Sequence, residues 1–274
     1  MNPIVHTYRS GEAGLFVNSY LVEGEGVVAV DAPLLLSDGK AFRARFEALR
    51  KPLLGVLITH PHPDHYNTVT QLLAGDDVPV VALADVDSEI REHDDAKRAQ
   101  WGPLFGDEWP ESATFPSRVV ADEEPIELGR LRFTPWDFGP CESASQTVWL
   151  LDDGAVAFCG DLAFNGTHVY LADGLTEAWL AALDQADERL AEVRTLYVGH
   201  GAPASPALFA EQRRYLLMVR EAIARVAAGR GELTEDEAGA VAGLMARYLP
   251  NAPLGWLVNV GAPAVAAELA GARA

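Results

Sequence analysis

Cysteine is nearly missing from this sequence: two residues, Cys141 and Cys159, among 274. Two thiols cannot build a disulfide scaffold, so a reducing, cytoplasmic setting is the expectation, with a single bridge between them left open. Long apolar runs are missing too. No stretch approaches the roughly 20 residues that cross a bilayer. The opening residues, MNPIVHTYRSGEAGLF, show neither the basic start nor the apolar core of a secretory signal. Basic residues are outnumbered, 21 Lys and Arg against 40 Asp and Glu, leaving a formal charge of −19. Such a surface repels nucleic acid and anionic membrane, and neither is an expected partner. Histidine is scarce as well, with seven residues in all.

What is present is ample apolar material, 49% of the chain, with no low-complexity segment. Composition and length fit one α/β domain spanning 1–274. LFVNSYLV (15–22) and GVVAVDAP (26–33) read as a β-hairpin, and AFRARFEALR (41–50) as an amphipathic helix. LLGVLIT (53–59) and VPVVALA (78–84) suit strands buried on both faces. Residues 85–125 differ in character. A helix near 85–99 is expected there, then a long structured loop, together an inserted lid-like segment. Its Trp101, Leu104, Phe105 and Trp109 either line a pocket or anchor the loop to the body. A second β-rich half follows in 126–136, 146–153, 155–161 and 195–201. Helices are expected from Thr176, from Ser205-Pro206, and from the capping box at 234–237, so that helices occupy much of 205–274. The apolar segment 254–272 is either a packed helix or a subunit contact, the latter implying a homodimer.

Three of the seven histidines fall in one heptapeptide, Thr59-His60-Pro61-His62-Pro63-Asp64-His65. A residue before proline is pushed toward extended geometry, and in an extended chain i and i+2 project to one side. His60 and His62 therefore face one point just beyond a buried strand. Asp64 and His65, being adjacent, cannot join that pair without a turn. The geometric solution is two neighbouring ions, one on His60 and His62, the other on Asp64 and His65. Imidazole and carboxylate suit zinc, with iron or manganese as alternatives.

The spacing H-x-H-x-D-H resembles that of the metallo-β-lactamase superfamily, and the resemblance extends along most of the chain. Cys159-Gly160-Asp161 follows an apolar strand, like the family's Gly-Asp that supplies a bridging aspartate. Gly199-His200-Gly201 follows TLYV, like its later Gly-His-Gly. The resemblance implies an αββα four-layered sandwich with the site along one edge. It also implies ligand roles for His60, His62, Asp64, His65, Asp161 and His200. One element departs from the pattern. Where the family carries a further histidine, this chain has FGPCESASQ (138–146), which puts Glu142 or a neighbour in its place. Glu142 is the candidate third ligand beside His60 and His62, and Cys141 is its competitor. Cys159 reads as simply buried. His168, with Tyr170 nearby, is a candidate for substrate binding or proton donation, its alternative being a hydrogen-bonded loop residue. His6 and His93 read as surface or structural residues.

Two ions about 3.5–4 Å apart can hold a hydroxide between them and polarise a carbonyl oxygen, with Asp64 orienting the nucleophile. The expectation is a hydrolase acting on an ester, thioester or lactone bond of a small molecule. Two other readings remain open. One is an iron-dependent sulfur-compound dioxygenase using His60, His62 and Glu142, a chemistry found among some superfamily members. The other is a non-catalytic metal-binding accessory protein.

Overall fold

The computed structural model describes residues 3–152 and 154–271. Strands β1 (Ile4–Arg9), β2 (Asn18–Glu23) and β3 (Val27–Val30) lead into helix α1 (Leu36–Ala48). Then come β4 (Leu53–Leu57), the short helices α2 (Pro63–Tyr66) and α3 (Val69–Leu73), β5 (Val80–Leu83), helix α4 (Ala84–Phe105) and β6 (Arg118–Val120). The second half runs β7 (Ile126–Leu128), β8 (Leu131–Asp137), β9 (Thr147–Leu151), β10 (Val156–Gly160), α5 (Thr176–Arg189), β11 (Thr195–Val198), α6 (Leu208–Ala227), α7 (Glu235–Tyr248) and α8 (Trp256–Gly271).

Two sheets result, in the orders β1-β2-β3-β4-β5-β6 and β11-β10-β9-β8-β7. The expected hairpin is β2 against β3, with Tyr20 opposite Val30. From β3 to β6 the pairing is parallel, as is β10 with β11, and the remaining pairs are antiparallel. Helices cover the outer faces, giving the αββα sandwich. Strand alternation sorts the side chains between layers. Trp149, Leu151 and Phe158 pack inward, against Tyr20 and Phe133 among others, while Val148, Leu150, Ala157 and Cys159 turn outward to the C-terminal helices. Both cysteines are buried and free.

Trp149 ties the sheets together. It is fully buried, and its indole N–H donates to the carbonyl of Ile58, just beyond β4, at 2.9 Å. Trp149→Ala is expected to cost about 3–5 kcal/mol of stability, the range for deleting a buried aromatic. A shift in the urea midpoint would measure it, and a change under about 1 kcal/mol would refute this account.

Several sequence expectations shift. β1 carries no clean alternation and was not anticipated; it is a partly exposed strand beside β2. The segment 126–136 splits into β7 and β8 around Gly129 (φ 64), a conformation glycine adopts freely. Helix α4 runs through Pro103 to Phe105 rather than stopping near 99. Proline removes one hydrogen bond near the helix end, and burial of Trp101 and Phe105 against Leu15, Leu34, Leu35 and Trp109 compensates. Leu104 takes no part, since 65% of it is exposed. The Ser205-Pro206 start is a turn, with α6 proper beginning at Leu208. The capping box forms as expected: Thr234 Oγ1 accepts from Glu237 N–H, and the Glu237 carboxylate accepts from Thr234 N–H. Within segment 254–272, Trp256–Gly271 form helix α8, packed through Leu257, Val258, Ala262 and Val265; Ala272 and the two residues after it, like Asp153, lie outside the described residues. No helix among the described residues is long and apolar enough to cross a membrane.

Candidate metal centre

Four strands end at one edge of the sandwich, and the candidate residues follow directly. Asp31 comes after β3, the heptapeptide after β4, Asp161 after β10 and His200 after β11. Each of these pairs is parallel, so each presents its two C-terminal ends together, the usual place for a site in such sheets. His62 is extended (φ −83, ψ 140), as its following proline demands. It caps α2, and that short helix supplies the turn that swings Asp64 and His65 to the opposite side.

The result is a buried cluster. His62 Nδ1 lies 2.9 Å from Glu142 Oε2, and His60 Nε2 lies 3.7 Å from the same oxygen. On the other side His200 Nε2 stands 3.3 Å from Asp64 Oδ2, with His65 Nε2 at 3.8 Å. Asp161 faces both groups. Its Oδ1 is 3.5 Å from His65 Nε2, and its Oδ2 is 3.4 Å from His200 Nε2 and 3.9 Å from His60 Nε2. Three sets have donor atoms within 4.8 Å of one another: His60, His62 and Glu142; Asp64, His65 and His200; His60, His65 and Asp161.

Packing is close enough here to require glycine. A Cβ on Gly199 would overlap Asp161 Oδ1 and crowd the His65 ring. Glu142 reaches the cluster from a tight loop closed by Phe138 N–H donating to Gln146 O. Cys141, next to it, points its thiol toward Gln146 Oε1 at 3.8 Å and joins none of the three sets.

The far nitrogen of each imidazole is held, which fixes the atom left facing the centre. His60 Nδ1–H donates to Thr59 Oγ1 at 3.0 Å, and that hydroxyl donates to Asp31 Oδ2. His65 Nδ1–H donates to Asp31 Oδ2 at 2.8 Å, and His200 Nδ1–H to the Leu15 carbonyl at 3.0 Å. His62 Nε2–H donates to Asp173 Oδ2 at 3.2 Å. Leu15 and Phe16 both sit in the left-handed region (φ 62 and 55), a costly turn for such side chains that aims this carbonyl at His200.

The charges are arranged for a cation. Burial opposes charge on His62, yet the Glu142 carboxylate outweighs it and holds the imidazole up to about 10. His200 is likewise raised to about 9 against burial, by Asp161 and Asp64. Burial lifts Glu142 to about 7 despite His62 beside it. His60 is held well below its usual value by burial and the neighbouring His65. Protons do not satisfy this cluster. His60 Nε2, His65 Nε2, Glu142 Oε1 and Asp161 Oδ1 are buried with no hydrogen-bond partner, and each such atom costs about 1–3 kcal/mol. Imidazole and carboxylate donors left unpaired around one centre fit a divalent metal.

Above the cluster lies a pocket walled by Leu15, Leu34, Trp101, Phe105, Trp109, Phe164, Leu254 and Trp256, with Lys97 and Tyr170 at its side. Both readings of the loop aromatics therefore hold: they anchor α4 and line the pocket. His168 is not among the lining residues. Its Nδ1 pairs with the Tyr215 hydroxyl at 2.9 Å and its backbone N–H with Pro253 O, the hydrogen-bonded loop role. Of the two readings of His168, these contacts fit the hydrogen-bonded loop residue. His93 pairs with Glu89, and His6 with Glu23, outside the cluster. Asp31 and Asp173 were not anticipated. Asp31 left a faint signal, a carboxylate at the end of the apolar strand VVAVDAP.

Comparison with known proteins agrees with this picture. The model of the "Metallo-beta-lactamase superfamily" matches residues 13–200, more than half of the chain. A hydroxyacylglutathione hydrolase from Shewanella halifaxensis is 26% identical over 166 residues, 60% of this chain and 52% of that protein. The chain thus matches about half the length of that relative. Among solved structures, a metallo-beta-lactamase family protein from Thermus thermophilus aligns at TM-score 0.70 and 18% identity, over 99% of this chain and 94% of that one. A beta-lactamase domain protein from Burkholderia ambifaria aligns at TM-score 0.70 and 19% identity, over 98% and 86%. At these identities the structural likeness establishes the fold.

Proposed function

The chain belongs to the metallo-β-lactamase superfamily, and from that premise we propose that it is a metal-dependent hydrolase of an ester, thioester or lactone bond in a small molecule. The observation that carries this reading is the pair of three-residue donor sets joined by Asp161 beneath an apolar pocket. His60, His62 and Glu142 would hold one divalent ion, and Asp64, His65 and His200 the other, with Asp161 between them; zinc fits first. Two such ions supply an acidified water and a polarised carbonyl.

The chain's own residues do the rest. Asp64, held below the usual carboxylate range because His65 and His200 outweigh burial, is ionised and placed to orient a nucleophile. The pocket walls exclude water and orient the apolar part of a substrate above the cluster. The relative named for hydrolysis of hydroxyacylglutathione supports the thioester branch.

Metal content and turnover test this together. Elemental analysis should find two ions per chain, and a thioester, ester and lactone panel should show turnover that chelation abolishes. His60, His62 and Glu142 alone also form a two-histidine, one-carboxylate set of the kind seen at non-haem iron sites. Oxygen uptake coupled to product in iron-loaded protein, with no hydrolysis, would therefore overturn the hydrolase reading. Bound metal without turnover on any substrate would favour an accessory role.

Chelation should also lower thermal stability. An ion present at about a thousandfold its Kd stabilises the fold by about 4 kcal/mol, so losing one shifts the midpoint by roughly 10 °C in a domain of this size. A melting curve with and without chelator measures it. Coincident curves would argue against resident ions.

A further inference from the structure

Three of the four clustered imidazoles are held from within the body of the sandwich: His60 by Thr59, His65 by Asp31 and His200 by Leu15. His62 is different. Its partner Asp173 stands in the segment after β10, with about a quarter of its side chain exposed, in a second cleft that His62 and Lys97 also line. Asp173 is gripped in turn. Its Oδ1 lies 3.9 Å from Lys97 Nζ of α4, and Lys97 and Tyr170 join His62 in holding its carboxyl below the usual range against burial. Tyr170 stacks edge-on against His62 at 5.1 Å, and Lys97 lies 5.9 Å from the Tyr170 ring centre. Lys97, Trp101 and Phe105 recur at i, i+4 and i+8, so one face of α4 carries both the cation and the pocket aromatics.

We propose that Asp173, braced by Lys97, is the positioning residue for His62, and that α4 thereby sets how tightly the His60–His62–Glu142 set holds its metal. A carboxylate on the far nitrogen fixes the tautomer that leaves Nδ1 free and makes the imidazole a stronger donor. This set already carries the negative charge of Glu142, so a second anion behind His62 needs a nearby cation. Among the described residues Lys97 is the Lys or Arg that pairs with Asp173, and its side chain is four-fifths buried there. The partners of the other three imidazoles have no charged link to α4: Thr59 and Asp31 stand at strand ends, and Leu15, which holds His200 through its carbonyl, meets Trp101 and Phe105 only by apolar packing. Metal affinity on the His62 side is therefore tunable through a charge carried by the pocket wall.

The inference rests on the two-ion reading, and zinc(II) binding to the metal-free full-length chain, read by competition with a chromophoric chelator, tests the two separately. Asp173→Ala should weaken one of two bound equivalents by about 10–100-fold, the usual cost of losing such a partner, and leave the other within about threefold. Asp173→Asn should recover part of the loss, because its amide oxygen still accepts from Nε2–H. Lys97→Met should weaken the same equivalent, and should add nothing when Asp173 is already alanine. In Glu142→Ala protein, Asp173→Ala should leave the remaining equivalent unchanged. Two equivalents that respond to neither Asp173→Ala nor Lys97→Met would overturn this inference alone, with circular dichroism checking that the variants are folded. Wild-type protein that binds no zinc would overturn the two-ion reading and this inference with it.

Discussion

Asp161→Asn should lose at least the roughly 10²–10³-fold in kcat that follows removal of one key electrostatic group, while the protein stays folded. The substitution keeps size and shape, so the effect isolates chemistry. Asp161 is the one side chain of the cluster whose two oxygens face donors of both sets: His65 through Oδ1, His200 and His60 through Oδ2. An amide replaces one acceptor with an N–H₂ group, which points a donor at whichever centre it meets. Both sets then lose an anion at once. Asp161 is held well below the usual carboxylate range, because His200 and His65 together outweigh the burial that opposes its charge. Steady-state kinetics on the best panel substrate, with zinc content measured beside it, checks the result. Retention of kcat within about threefold would remove Asp161 from the mechanism.

The second large effect concerns Glu142. Glu142→Ala should reduce bound metal from two ions to one per chain, since His60 and His62 alone are a poor set for a divalent ion. Unchanged stoichiometry would remove Glu142 from the ligand set. Glu142→His provides the complementary arm. It exchanges a hard anionic oxygen for imidazole, so it should retain two ions and shift preference from iron or manganese toward zinc. The loop tolerates little else: Glu142 is 2% exposed, and Ser143, Ser145 and Gln146 around it are equally buried. Competition between zinc and manganese at equal concentration, read by elemental analysis, distinguishes the two variants. Identical metal ratios in wild type and Glu142→His would show that Glu142 does not tune the site.

Most of this centre is legible in the chain because its residues follow strands that announce themselves. LLGVLIT, AVAFCG and TLYV are apolar runs; His60 and Asp161 stand directly after the first two, and His200 one glycine after the third. The prolines of the heptapeptide specify its extended backbone, so the common direction of His60 and His62 follows from local sterics. Glu142 is reachable by position once the following strand TVWLL is recognised. Asp31 and Asp173 are not. Forty acidic residues give a carboxylate no distinguishing mark, and only the meeting of β3 with β4 places Asp31 under His65. Lys97 was hidden for the same reason, since its role depends on where α4 lies. The helix itself outran expectation because tertiary burial of Trp101 and Phe105 outweighs the local preference of Pro103. His168 lies near Asp161 in sequence, yet its side chain pairs with Tyr215, a contact that sequence proximity does not reveal.

The pocket aromatics also make the molecule its own optical instrument. Of six tryptophans, Trp101, Trp109 and Trp256 border the pocket, whereas Trp149 and Trp179 are sealed in the interior. Intrinsic emission therefore divides into a part that a bound molecule can quench or shift and a part that it cannot touch. Occupancy of the pocket can be titrated without a label.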